Sequence, residues 1–207
     1  MMKLDVAHIL DWMEKANDKI QQNKTYLTSL DQAIGDGDHG INMARGFQEV
    51  IGKISASDYS NVSDLLKDIS MTLLSKVGGA SGPLYGTAFL KMSMALKDSD
   101  SVDYPQFVHA MEEALQGIKQ RGKAEKGEKT LVDVWETLLE QLKEQDDFDS
   151  VRFEETAKLA MESTKELEAK KGRAAYLRER SIGHLDPGSV SSYYIFTSLS
   201  DVVKESV

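Results

Sequence analysis

The 207-residue chain carries 25 basic against 34 acidic side chains, a formal charge of -9 and a pI near 5.0, a balance that repels a nucleic-acid backbone. It contains no cysteine, which excludes disulfides, thiolate metal sites and sulfur nucleophiles. Its apolar content of 41%, with six Phe, seven Tyr and two Trp, supports one ordered domain over residues 1–207, and no run approaches the 18 apolar residues of a membrane span, so a cytoplasmic location is expected.

Val6, Ile9, Leu10, Met13, Ala16 and Ile20 recur at three and four residues and predict an amphipathic helix from Asp5 to Gln22. Next comes Leu30-Asp31-Gln32-Ala33-Ile34-Gly35-Asp36-Gly37-Asp38-His39-Gly40-Ile41-Asn42. Three carboxylates within eight residues repel one another unless a cation compensates them, and an open oxygen cluster suits Mg²⁺. The ordinary alternative is a solvated Asp-rich turn, but a helix predicted over Ile41–Ile54 follows, and its free N–H groups favour an anion. The spacing does not continue as an EF-hand, because Ile41 and Phe47 stand where Gly and Glu are required.

A third helix is predicted over Val62–Val77, followed by the small-residue stretch from Gly78 to Gly82 with Pro83 suited to a first helical position, then a helix over Leu84–Leu96. Bare backbone there suits a phosphate or, alternatively, close helix packing. Ser81 lacks the strand-turn-helix elbow of a serine hydrolase. Helices follow over Phe107–Lys119, Leu131–Leu142, Phe153–Leu167 and Val190–Val203, giving about eight, with no strand predicted. Between them, Gly122 to Thr130 is a Walker-like decoy spoiled by Glu128, and Lys171 to Gly188 gathers cations ahead of an Asp-Pro-Gly turn. Glu144–Ser150 is expected to be a solvated turn, and His8 and His109 ordinary helix side chains.

Gly-Asp-Gly-Asp-His-Gly with Asp31 upstream, Gly-Gly-Ala-Ser-Gly-Pro-Leu-Tyr-Gly-Thr, Arg-Gly-Lys-Ala-Glu-Lys-Gly-Glu-Lys-Thr-Leu-Val-Asp-Val-Trp and Lys-Gly-Arg-Ala-Ala-Tyr-Leu-Arg-Glu-Arg-Ser-Ile-Gly-His-Leu-Asp-Pro-Gly together resemble the nucleotide-binding L subunits of dihydroxyacetone kinases. The motifs stand in family order from residue 31 to 188, with no departure at the three aspartates. The resemblance implies an all-α antiparallel barrel of eight helices holding ADP or ATP at one end, with Asp31, Asp36 and Asp38 binding two Mg²⁺. It implies a nucleotide pocket of His39, Gly40, Ile41, Asn42, Ala80, Ser81, Gly122, Thr130, Leu131, Arg173, Asp186, Pro187 and Gly188, with Arg173 a candidate phosphate stabiliser. It further implies a K subunit that carries dihydroxyacetone and, in the phosphotransferase-system version, an M subunit whose phosphohistidine regenerates ATP from bound ADP. A stand-alone L subunit using ATP as co-substrate on dihydroxyacetone or a related ketose, a non-catalytic nucleotide-loaded regulator, and a homodimer remain open alternatives.

Overall fold

The computed structural model describes residues 2–97 and 99–206. A short strand β1 (Lys3–Asp5) leads into α1 (Val6–Gln22), then α2 (Lys24–Ile34), α3 (His39–Ser55), α4 (Val62–Lys76) and α5 (Ser81–Ala95). Strand β2 (Ser101–Asp103) precedes α6 (Tyr104–Gly122), α7 (Leu131–Lys143) and α8 (Ser150–Ser163), and two 3-10 segments, Thr164–Glu166 and Arg173–Ser181, precede α9 (Pro187–Glu205). The chain is therefore mostly helical, with nine α-helices among the described residues.

Local chemistry sets many of the boundaries. Asp5 with His8, Asp103 with Gln106 and Thr130 with Asp133 form reciprocal capping boxes at the starts of α1, α6 and α7, each meeting backbone N–H groups that a helix start leaves unpaired. Asn61 caps α4 and Asp186 caps α9, where Pro187 takes the first helical position. Behind these starts, residues spaced by three and four turn inward. Ile9, Trp12, Met13, Ala16 and Ile20 of α1 are all buried, and each large apolar side chain so buried contributes roughly 1.5–3 kcal/mol. Aromatic edges bind the later helices together: Trp135 meets Phe196 at 4.7 Å between ring centroids and Phe153 meets Phe196 at 5.7 Å.

Helix neighbours follow chain order. α3 packs on α4, α4 on α5, α5 on α6, α6 on α7, α7 on α8 and α8 on α9, which returns to α1, itself packed on α3. α2 is not a link in this circuit but rests on α3 and α9. Its only buried residues are Leu27 and Ile34, too few to leave a readable period, which is why the sequence predicts no helix there.

Other differences have equally local causes. β1 and β2 pair antiparallel in the register Lys3↔Asp103, Leu4↔Val102 and Asp5↔Ser101, three residues each and too short to show alternation. The helix expected to reach Leu167 stops at Ser163, and the Thr164 hydroxyl, bonded to the Met161 carbonyl, also receives the Asp186 N–H. α5 begins at Ser81, two residues before Pro83; proline is tolerated there because first-turn N–H groups have no helical partner. The basic stretch after Gly172 is a 3-10 segment broken at Arg178, whose φ is 53°, and the Glu144–Asp149 turn tucks Phe148 against the core. Among the described residues, no helix is long and apolar enough to cross a membrane.

Candidate metal and nucleotide site

Four helices begin at one cavity of about 420 Å³. Asp38, Ala80, Thr130 and Asp186, the residues preceding α3, α5, α7 and α9, all line it. Each helix start presents the positive end of a peptide dipole, and although Asp31, Thr130 with Asp133, and Asp186 take some of the first N–H groups of α3, α7 and α9, α5 has no side-chain cap, so the four together favour an anion. Opposite charge sits beside them: Asp31, Asp36 and Asp38 can each offer a carboxylate oxygen within 4.8 Å of the others. A hard divalent cation between those oxygens and an anion against the helix starts satisfy both halves of the site. The donor set fits Mg²⁺ in being all oxygen and open on the cavity side.

The three aspartates are placed differently. Asp31, in the last turn of α2, accepts hydrogen bonds from the backbone N–H groups of Asp38 (2.9 Å) and His39 (3.0 Å) with Oδ2. It thereby caps α3, whose preceding residue Asp38 makes no side-chain cap bond. The chain turns between them at Gly37, with φ of 75°, a left-handed conformation that glycine adopts freely. Asp36 is paired with Arg173, Nε to Oδ2 at 2.7 Å, across from the 3-10 segment. Both partners are substantially exposed, so the pair is weak and Arg173 is available to a stronger anion.

Below the cavity lies a dry polar layer. His39 is buried, with Nδ1 3.0 Å from Ser81 Oγ and Nε2 3.0 Å from Ser191 Oγ. Burial lowers its pKa to about 4 despite the pull of Asp31 and Asp38, so the ring is neutral at physiological pH. Asp186 caps α9 by accepting the Ser189 N–H at 2.7 Å. Its removal from water raises its pKa to about 7; the Ser189 bonds oppose that shift, Asp133 adds to it and Lys129 offsets it. Lys129 is itself buried, with a lowered pKa from the same cause. Its ammonium donates to the carbonyls of Thr164 (2.6 Å), Leu167 (3.1 Å) and His184. This clamp joins the loop before α7 to both ends of the segment that carries Arg173.

Of the residues expected to form the pocket, His39, Asn42, Ala80, Ser81, Thr130, Leu131, Arg173, Asp186, Pro187 and Gly188 line this cavity with the three aspartates. Gly122 instead lines an adjoining cavity of about 340 Å³, mostly apolar through Pro83, Leu84, Ile118, Ala124 and Val132. Gly40 and Ile41 line neither. Gly40 lies where α3 crosses α2, so close to the Lys24 carbonyl that any side chain would collide, and the Ile41 side chain is exposed. Lys129, Lys171 and Gly172 line the first cavity without having been expected there. His8 serves its helix cap and His109 is exposed on α6, while exposed His184 contributes only its carbonyl to the Lys129 clamp.

A model of the DAK2 domain matches residues 33–201. The chain is 48% identical over 198 residues to the ADP-binding subunit DhaL of PEP-dependent dihydroxyacetone kinase 1 from Listeria innocua, covering 96% of this chain and 97% of that protein. It is 40% identical over 210 residues to the ADP-binding subunit DhaL of the Escherichia coli PEP-dependent dihydroxyacetone kinase, covering 99% of this chain and 100% of that protein. Among solved structures it superposes with a TM-score of 0.78 on the dihydroxyacetone kinase of C. freundii in complex with AMP-PNP and Mg²⁺, over 97% of this chain and 35% of that one. At 22% identity that likeness concerns the fold, and this chain spans about a third of that kinase.

Proposed function

Because the chain belongs to the DAK2-domain family, we propose that it is the nucleotide-holding subunit of a phosphoenolpyruvate-dependent dihydroxyacetone kinase, working in the cytoplasm as a single domain over residues 1–207. The observation that carries this reading is the meeting of three carboxylates and four helix starts at one cavity. The contact circuit supports an antiparallel barrel of eight helices, with α2 as a ninth placed against it. In this reading ADP stays in the cavity as a cofactor, with Asp31, Asp36 and Asp38 holding two Mg²⁺. Three carboxylates and ADP bring about six negative charges and two magnesium ions return four, so one metal alone would leave the site heavily repulsive.

Magnesium held by Asp31, Asp36 and Asp38 would supply charge neutralisation to the phosphates. The protein's own groups supply position, which is most of what phosphoryl transfer requires. The first N–H groups of α5, near Ala80 and Ser81, offer donors to phosphate oxygens, while the His39 N–H at the start of α3 is already taken by Asp31. Arg173 exchanges Asp36 for the phosphate as charge develops there. Asn42, Thr130, Leu131 and Asp186–Gly188 shape the walls, and the apolar cavity at Gly122 receives the base. Dihydroxyacetone comes on a separate K subunit, and an M subunit carrying phosphohistidine recharges the bound ADP. The near-complete match to ADP-binding subunits supports a separate acceptor.

Acid-quenching the purified chain should release close to one ADP per chain. With ATP, Mg²⁺ and free dihydroxyacetone it should make no product until K and phosphorylated M subunits are added. Turnover by the chain alone overturns the separate acceptor, and an empty chain that consumes free ATP with the K subunit overturns the resident cofactor.

A further inference from the structure

A continuous hydrogen-bonded chain crosses the interior beneath the cavity. The Trp135 indole N–H donates to Ser192 Oγ at 3.0 Å, and Ser192 Oγ lies 2.8 Å from the Tyr85 hydroxyl. Tyr85 lies 2.7 Å from Ser191 Oγ, which meets His39 Nε2 at 3.0 Å, and His39 Nδ1 meets Ser81 Oγ at 3.0 Å. Every member except Ser81 is buried, so water does not complete these bonds. α5 supplies both Ser81 and Tyr85, one helical turn apart, and the path between them passes through α9 and the first residue of α3. With Trp135 on α7, the chain therefore ties all four of the helices that start at the cavity to one another.

An indole N–H can only donate, whereas a hydroxyl donates once and accepts besides. Once Trp135 has donated to Ser192, the Ser192 proton is free to go to Tyr85, the Tyr85 proton to Ser191 and the Ser191 proton to His39 Nε2. The His39 proton then sits on Nδ1 and is given to Ser81, whose own proton is left for the cavity. Such head-to-tail chains are mutually polarising. The Gly188 carbonyl, 2.9 Å from Tyr85 and 3.1 Å from Ser191, and the Pro187 carbonyl, which hydrogen-bonds the His39 ring, are the competing acceptors. If Gly188 took the Ser191 proton, His39 would be protonated on Nε2 and Ser81 would face the cavity as an acceptor, which a phosphate oxygen rejects.

We infer that Trp135 sets the direction of this chain, that Tyr85 is a positioning residue acting through Ser191 and His39, and that the Ser81 hydroxyl is thereby presented as a donor to a phosphate oxygen. The phosphate rests on the function proposed above; the direction of the chain does not. Long-range ¹H–¹⁵N NMR of ¹⁵N-histidine-labelled protein reads the His39 tautomer directly, with and without Mg-ADP. The expected result is a proton on Nδ1 in both states. Tyr85→Phe should lose that single tautomer and bind Mg-ADP about tenfold more weakly. Ser192→Ala cuts the chain one link earlier and should move the tautomer likewise, whereas lost packing alone would lower the melting temperature without moving it. A proton on Nε2 in the unmodified chain, or variants that keep its tautomer and affinity, overturns the inference. Failure of the unmodified chain to bind Mg-ADP would instead refute the proposed function, and the nucleotide-free spectrum would still decide the direction.

Discussion

Asp186 helps the fold at one pH and opposes it at another. Its carboxylate caps α9 at the cavity floor, where burial raises its pKa to about 7 from an ordinary value of 3.8. A folded-state pKa above the unfolded one means that the folded chain holds the proton more tightly, so the associated stability is present in acid and lost as pH rises from about 4 through 7. Asn retains the cap without the charge. Asp186→Asn should therefore melt close to the unmodified chain near pH 4 and above it at pH 8, by about 2–4 °C for each kcal/mol of relief; equal melting temperatures across that range would remove the claim. The neighbouring residues differ in how far they could be read in advance. The three aspartates are legible because they fall within eight residues and glycines leave them unshielded. Lys129 is not, because the carbonyls it holds lie 35 to 55 residues further along the chain.

Among the elements, α2 is the least secured. It has no side-chain cap at Asn23, no acidic residue in its first turn and two buried side chains, yet it carries Asp31, which caps α3 and contributes to the carboxylate cluster. Backbone amides from Lys24 to Ile34 should exchange hydrogen faster than those of α1 or α3, and a ligand held through Asp31 should slow them selectively. The measurement is exchange with Mg-ADP and again after chelation; uniform slowing across all helices would argue against a local role for α2. Its shallow burial also explains why apolar spacing does not reveal α2, whereas α1, α4 and α7 are evident from that spacing. Glycine was ambiguous for a related reason. The same residue permits a phosphate approach and a tight helix crossing, and only the contact at Lys24 assigns Gly40 to the second.

At the scale of the molecule, α3, α5, α7 and α9 all start at the cavity, so the connections preceding α4 and α8 lie at the other end. α9 runs 19 residues away from the cavity, roughly 28 Å at the helical rise. It ends where Val203 and Ser206 share a small cavity with Met2 and Leu4, and the Met2 N–H is bonded to Asp147 in the turn between α7 and α8. Since α9 also packs on α1, the order of helices is a cycle that the peptide chain happens to enter at one point, and that point is remote from the chemistry. A polypeptide of the same composition could enter elsewhere. Joining residue 206 to residue 2 by a short flexible linker and opening the chain between Ala56 and Asn61 should give a permuted protein that binds Mg-ADP within about threefold of the original affinity. A folded permutant without that affinity would show that the linear order of the helices matters to the site. If affinity is kept, the same geometry lets a second domain be joined at either end without obstructing the cavity.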